Sequence, residues 1–190
     1  MKYKYADTPE SIRAAVRDVA SRDGVEGILL CATPDDGLDE WLDPFLRELD
    51  VSVFGGVFPE VIHDGENRES GAVVCGLSSE PHVTTIRGLS DADPDYASAL
   101  DADLPLNGYE TAFVFVDAYG TNIQEFIESL FRTYSVELNF IGGGAGTLEA
   151  EQRPCLFTNE GTIQDGAVLA AVEPPVTLGV EHGWREIAGP

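Results

Sequence analysis

Phe140-Ile141-Gly142-Gly143-Gly144-Ala145-Gly146 is the stretch whose reading decides the fold. An apolar run ends there in residues without bulky side chains, so the backbone is free to turn with positive φ and to let another group approach its amides. A shorter copy, Val53-Phe54-Gly55-Gly56, occupies the same place in the first half of the chain. The two glycine turns therefore read as one duplicated feature and as the rim of a ligand site.

The elements around each copy agree. Thr111-Ala112-Phe113-Val114-Phe115-Val116-Asp117 reads as a strand. Thr121 with Gln124 three residues later forms a capping box, and Ile123, Phe126, Ile127, Leu130, Phe131 and Tyr134 supply the apolar stripe of a helix. In the first half, Gly27-Ile28-Leu29-Leu30-Cys31-Ala32 is an apolar run short enough to be a strand covered on both faces. Leu38, Trp41, Leu42, Phe45, Leu46 and Leu49 mark a helix that either begins at Asp43, with Pro44 in its first turn, or runs longer and kinks there. Beyond the glycines, Gly71-Ala72-Val73-Val74 matches Gly166-Ala167-Val168-Leu169. Thr8-Pro9-Glu10 opens another helix, with Ile12, Ala15, Val16 and Val19 at helical spacing and Gly24 to end it. Cys155 to Thr158 and Ala167 to Val172 read as paired strands, and Val176 to Val180 starts a further one.

This spacing predicts a single α/β domain over residues 1–190. Its mixed sheet is flanked by helices and built from two pseudo-symmetric β-α-β-β halves, about 1–88 and 109–190. An acidic, proline- and alanine-rich linker over 89–108 joins them.

The formal charge of −23 comes from 34 acidic residues against 11 lysines and arginines, with lysine only at Lys2 and Lys4. Such a surface repels phosphate backbones and anionic membranes, which excludes nucleic acid and lipid as partners. It fits a high-salt cytoplasm, as in a halophilic archaeon, where concentrated ions screen the self-repulsion. With no apolar run as long as a membrane span and no N-terminal signal region, the expected location is cytoplasmic. Cys31, Cys75 and Cys155 are odd in number, lack CxxC spacing and lie in apolar segments, so they read as reduced, buried small hydrophobes.

Most chemistry is excluded by spacing. Thr147 stands where a dinucleotide fingerprint needs its third glycine and Pro154 arrives before a long helix could run, while no lysine is near for a Walker loop. There is no G-x-S-x-G elbow, and His63, His82 and His182 have no metal-ligand spacing. No catalytic group, metal or cofactor is therefore expected. A cysteine- or histidine-dependent hydrolase using Cys31 or Cys155 with His182 is the competing class, and a protein-interaction scaffold is the third. What survives is a small-molecule pocket outside the carboxyl ends of the parallel strands. Its candidate residues are Gly55, Gly56, Asp117, Thr121, Asn122, Gly142, Gly143, Gly144 and Arg153. Helix amides near Thr121 and Asn122 suit a carboxylate and Asp117 an ammonium, which together suit an amino acid. Asp117 and Asn122 equally fit helix-start chemistry alone. Arg153 either counters a bound anion or pairs with Glu149 or Glu151.

Phe54-Gly55-Gly56-Val57-Phe58-Pro59, Leu138 to Gly146, Pro154-Cys155-Leu156-Phe157-Thr158-Asn159, Asp165-Gly166-Ala167-Val168-Leu169 and Val180-Glu181-His182-Gly183-Trp184-Arg185 together resemble the FIST N-terminal domain. The resemblance covers the chain from about Gly27 onward. It implies an intracellular sensory module of signal transduction that binds small ligands such as amino acids. It also implies a FIST C-terminal domain or a signalling output protein as partner.

Overall fold

The computed structural model of the chain describes residues 3–103, 109–134, 138–149, 151–173, 176, 177 and 179. The first half runs β1 (Tyr3–Ala6), α1 (Pro9–Ala20), β2 (Gly27–Ala32), α2 (Leu38–Arg47), β3 (Ser52–Val57), a hairpin of β4 (Val61–His63) and β5 (Glu66–Arg68), and β6 (Ala72–Leu77). The second half repeats that order: β7 (His82–Arg87), α3 (Tyr96–Asp103), β8 (Thr111–Asp117), α4 (Ile123–Tyr134), β9 (Asn139–Ala145), a hairpin of β10 (Leu156–Thr158) and β11 (Gly161–Ile163), and β12 (Gly166–Val172).

Each half builds its own four strands in the same order, β1-β6-β2-β3 and β7-β12-β8-β9. In both, only the two strands that flank the second helix run parallel. The registers coincide as well. Gly55 lies beside Leu30 as Gly142 lies beside Val114, and Ala72 beside Ala32 as Ala167 beside Val116. The sequence matches of both glycine runs and of the strands after them are thus structural equivalences. The symmetry breaks at the hairpins. β4 and β5 form a separate ribbon, whereas β10 and β11 cross over and extend the first sheet from β3.

The sheets stack face to face with helices outside. Phe54 meets Phe113 and Phe115 across the gap, with ring centroids 5.5 and 6.4 Å apart. Ile12, Val16 and Val19 of α1 and Leu42, Phe45 and Leu46 of α2 join Ile28, Leu30 and Val53 in the first core. Phe126 and Leu130 of α4 join Val114, Val116 and Leu169 in the second. Full burial of each such side chain contributes roughly 1.5–3 kcal/mol.

Several expectations are corrected. The glycine runs are strand interior, not turns: of residues 142 to 146 only Gly146 has a positive φ, at 147°. Glycine is required instead because a Cβ at Gly55 would overlap the Leu30 carbonyl oxygen, and one at Gly142 the Val114 carbonyl oxygen. The segment read as a linker holds α3, and Leu89, Tyr96 and Leu100 are buried in the second core. The described link between equivalent elements is residues 78–81 instead. α2 begins at Leu38 and carries Pro44 inside it, the longer of the two alternatives. α4 begins at Ile123, and the Gln124 amide donates to Glu128 Oε1 at 2.9 Å rather than closing a capping box on Thr121. Thr8 caps α1 as expected, reciprocally with Ser11. Of the strand expected from Val176 to Val180, the described residues Val176, Thr177 and Gly179 belong to no strand, and the Val180–Arg185 motif lies outside the described residues. No described helix is long and apolar enough to cross a membrane.

Candidate functional site

The carboxyl ends of β3 and β9 meet. The Gly146 N–H donates to the Val57 carbonyl at 2.8 Å, and the Val57 N–H donates to the Cys155 carbonyl at 2.7 Å. Phe58 sets its ring edge-on to Phe115, with centroids 5.5 Å apart. The seam is packed solid. A Cβ at Gly55 would lie 2.8 Å from the Phe157 ring, and one at Gly56 3.1 Å from the Ala145 methyl and 3.2 Å from the Cys155 carbonyl oxygen. Gly55 and Gly56 hence border no hollow; they let the halves close on each other.

Space opens beside the seam, at the ends of β2 and β3. One hollow of about 190 Å³ lies among Pro34, Gly37, Leu38, Val57, Thr147 and Arg153. A second, of about 140 Å³, lies among Asp7, Thr8, Thr33, Trp41 and Gly71. They share Pro34, Asp35 and Leu38. The loop between β2 and α2 makes this cleft. Gly37 takes the left-handed conformation at φ 78° before α2, without a side-chain cap, and the first turn closes on itself: the Leu38 N–H donates to the Asp35 carbonyl at 3.2 Å and the Glu40 N–H to the Gly37 carbonyl at 3.1 Å. Both halves contribute walls: Val57 from the first, Thr147 and Arg153 from the second.

Of the residues proposed from sequence, Arg153 alone lines the cleft. Its half-exposed guanidinium reaches Glu149 at 3.1 Å and Asp36 at 3.7 Å, so it sits in a web of opposed charges. Asp117 is fully buried, and its carboxylate is consumed internally. Oδ2 accepts from the Asp165 N–H and Gln152 Nε2, both at 2.7 Å, and Oδ1 from the Tyr119 N–H at 3.0 Å. It ties the start of β12 and the loop before β10 to the end of β8. Thr121 and Asn122 bind the former linker: the Thr121 N–H donates to Ser90 Oγ at 3.3 Å and Asn122 Nδ2 to the Asp91 carbonyl at 2.7 Å. Gly142, Gly143 and Gly144 are exposed on β9, away from the cleft.

The reactive side chains are muted. Burial pushes the Cys31 thiol up to about 12, with Cys75 nearby adding to the shift. Burial first and the Asp117 carboxylate second do the same for Cys155. A nucleophilic cysteine requires the opposite displacement. His63 stacks on Tyr5 at 4.9 Å and meets Tyr3 edge-on at 5.9 Å. His182 lies outside the described residues. Among the described residues no three histidine, cysteine or carboxylate side chains cluster in a way that would hold a metal ion. Sequence reasoning missed Asp35, Leu38 and Thr147. Their signal was Pro34-Asp35-Asp36-Gly37 directly after an apolar strand, where a helix N-terminus must follow.

The sequence matches the FIST N domain over residues 26–190. The chain belongs to the FIST N domain family. The match takes in both glycine strands and the cleft beside them, apart from its Asp7–Ile12 wall. The FIST domain is a sensory domain of signal transduction. Comparison with curated proteins finds no match to the chain.

Proposed function

We propose that this FIST N domain is a cytoplasmic small-molecule sensor that performs no chemistry of its own, and that its ligand is an amino acid held in the cleft at the ends of β2 and β3. The observation that carries the reading is a cleft of small-molecule size walled by both halves, with Arg153, Asp35 and Asp39 all among its lining residues. A cation and carboxylates in one hollow complement a zwitterion: the guanidinium takes the ligand carboxylate and the aspartates its ammonium. A guest there bridges Val57 and Thr147, so its binding energy acts on how the halves meet. A FIST C-terminal domain or another output protein would read that change. The protonated thiols support the non-catalytic part of the reading.

A thermal-shift titration with free amino acids in molar salt tests this. Binding to the native state raises the melting temperature with ligand concentration. Arg153→Ala, at a half-exposed ion pair worth no more than about 1 kcal/mol, keeps the fold and removes the rise. No rise with any amino acid defeats the ligand assignment, and a rise retained by Arg153→Ala moves the site elsewhere.

A further inference from the structure

β9 is the outer strand of its sheet, and among the described residues no strand pairs with its far edge. The Asn139 N–H donates to the Glu110 carbonyl and the Ala145 carbonyl accepts from Ala118, so the odd-numbered residues face β8. The N–H and C=O groups of Phe140, Gly142 and Gly144 consequently point outward. A row of free backbone groups is a template for another strand. Two features say which strand. Residues 138–148 carry no charged side chain, in a chain of net charge −23. The edge is also bulky and apolar at one end and bare at the other: Phe131, 57% exposed, rests edge-on against Phe140 at 5.4 Å, while Gly142 to Gly144 are exposed and a Cβ at Gly143 would meet nothing within 4 Å.

We infer that β9 pairs antiparallel with β9 of a second copy of this chain, about a twofold axis at Gly142, so that the two four-stranded sheets become one. In that register Phe140 of each copy stands opposite Gly144 of the other, and each such pair exchanges both of its backbone hydrogen bonds. Phe131 and Phe140 then cover the bare backbone of the partner, and the patch is its own complement, as an isologous contact demands. The fold already closes the equivalent edge this way. β10 lies antiparallel on β3 with Phe157 opposite Gly55 and Leu156 opposite Gly56, bulk against glycine. An uncharged, self-complementary edge selects a second copy over a partner recognised by charge. Because both copies are strongly acidic outside the contact, association strengthens with salt.

Sedimentation equilibrium of the full chain in molar salt tests the inference, with amide exchange measured on the same samples. The wild type shows the mass of two chains, dissociates on dilution, and weakens as salt is lowered. The amides of Phe140, Gly142 and Gly144 exchange more slowly in the dimer than after dilution. Gly143→Glu and Phe131→Glu, both at open positions and each with an unchanged melting temperature on dilution, raise the dissociation constant about tenfold or more. A wild type that stays monomeric at high concentration overturns the inference. So does a dimer indifferent to both substitutions, or protection of the three amides that is independent of concentration, since the same chain then covers the edge.

Discussion

Strands β3 and β9 occupy equivalent places in equivalent sheets, each parallel to its central strand and each with a glycine against the neighbouring carbonyl. Their outward groups fare differently. On β3 the Val53 N–H is taken by Asn159 Oδ1 at 2.7 Å, Gly55 lies in register with Phe157, and Val57 is bound by Cys155 and Gly146. On β9 the matching positions Phe140, Gly142 and Gly144 have no backbone partner on that side among the described residues. One half of the molecule has spent its hairpin on covering an edge and the other has not. Glycine in these strands therefore answers to two demands. At Gly55 and Gly142 the neighbouring strand imposes it from within the sheet; at Gly56 and Gly143 it depends on what lies outside.

The strongest way to break this comparison is Gly55→Val beside Gly142→Val. Both place a side chain on a neighbouring carbonyl that cannot retreat, so each loses about 3 kcal/mol or more in denaturant unfolding. Tolerance of either would end the equivalence of the halves. Next is Asn159→Ala. The Asn159 amide also donates to the Leu49 and Val51 carbonyls at 3.2 and 3.0 Å, so it holds the chain leaving α2 as well as the β3 edge. Its removal strands several partly buried groups and lowers stability by about 2–3 kcal/mol, again by denaturant. Smaller, and sharper as a contrast, is Gly56→Ala against Gly143→Ala. The first crowds Ala145 and Cys155 at 3.1 and 3.2 Å and costs about 1–2 kcal/mol, whereas the second enters open space and stays within about 0.5 kcal/mol of wild type. Equal effects would mean that the two strands have the same surroundings after all.

The last test is pH, and it probes the covered edge through Cys155. Its folded pKa is raised, as is that of Cys31, so the stability tied to the neutral thiols is complete below the unfolded value, near 8.5. It is lost as pH rises toward about 12. Melting temperature accordingly declines above about pH 8.5, and less steeply in Cys155→Ala. A slope unchanged by that substitution would show that the thiol is not held neutral.

The sequence by itself determined the repeat. Apolar runs of strand length, a helical stripe and a glycine at one fixed offset are local signals, and the registers Gly55 to Leu30 and Gly142 to Val114 agree with the sequence alignment residue for residue. The link at residues 78–81 was not legible, because three buried side chains, Leu89 before α3 and Tyr96 and Leu100 within it, sit in an aspartate-rich segment with little amphipathic pattern. Nor was the place of the cleft. Whether a bare backbone borders a cavity, a packed seam or an open edge depends on which distant chain lies against it. At Gly55 that is Phe157, at Gly56 Ala145, and at Gly143 nothing within 4 Å. Backbone groups more than a hundred positions away decided Asn159 in the same manner. Local chemistry writes strands and helices along the chain, but long-range packing alone decides what occupies the room that a missing side chain leaves.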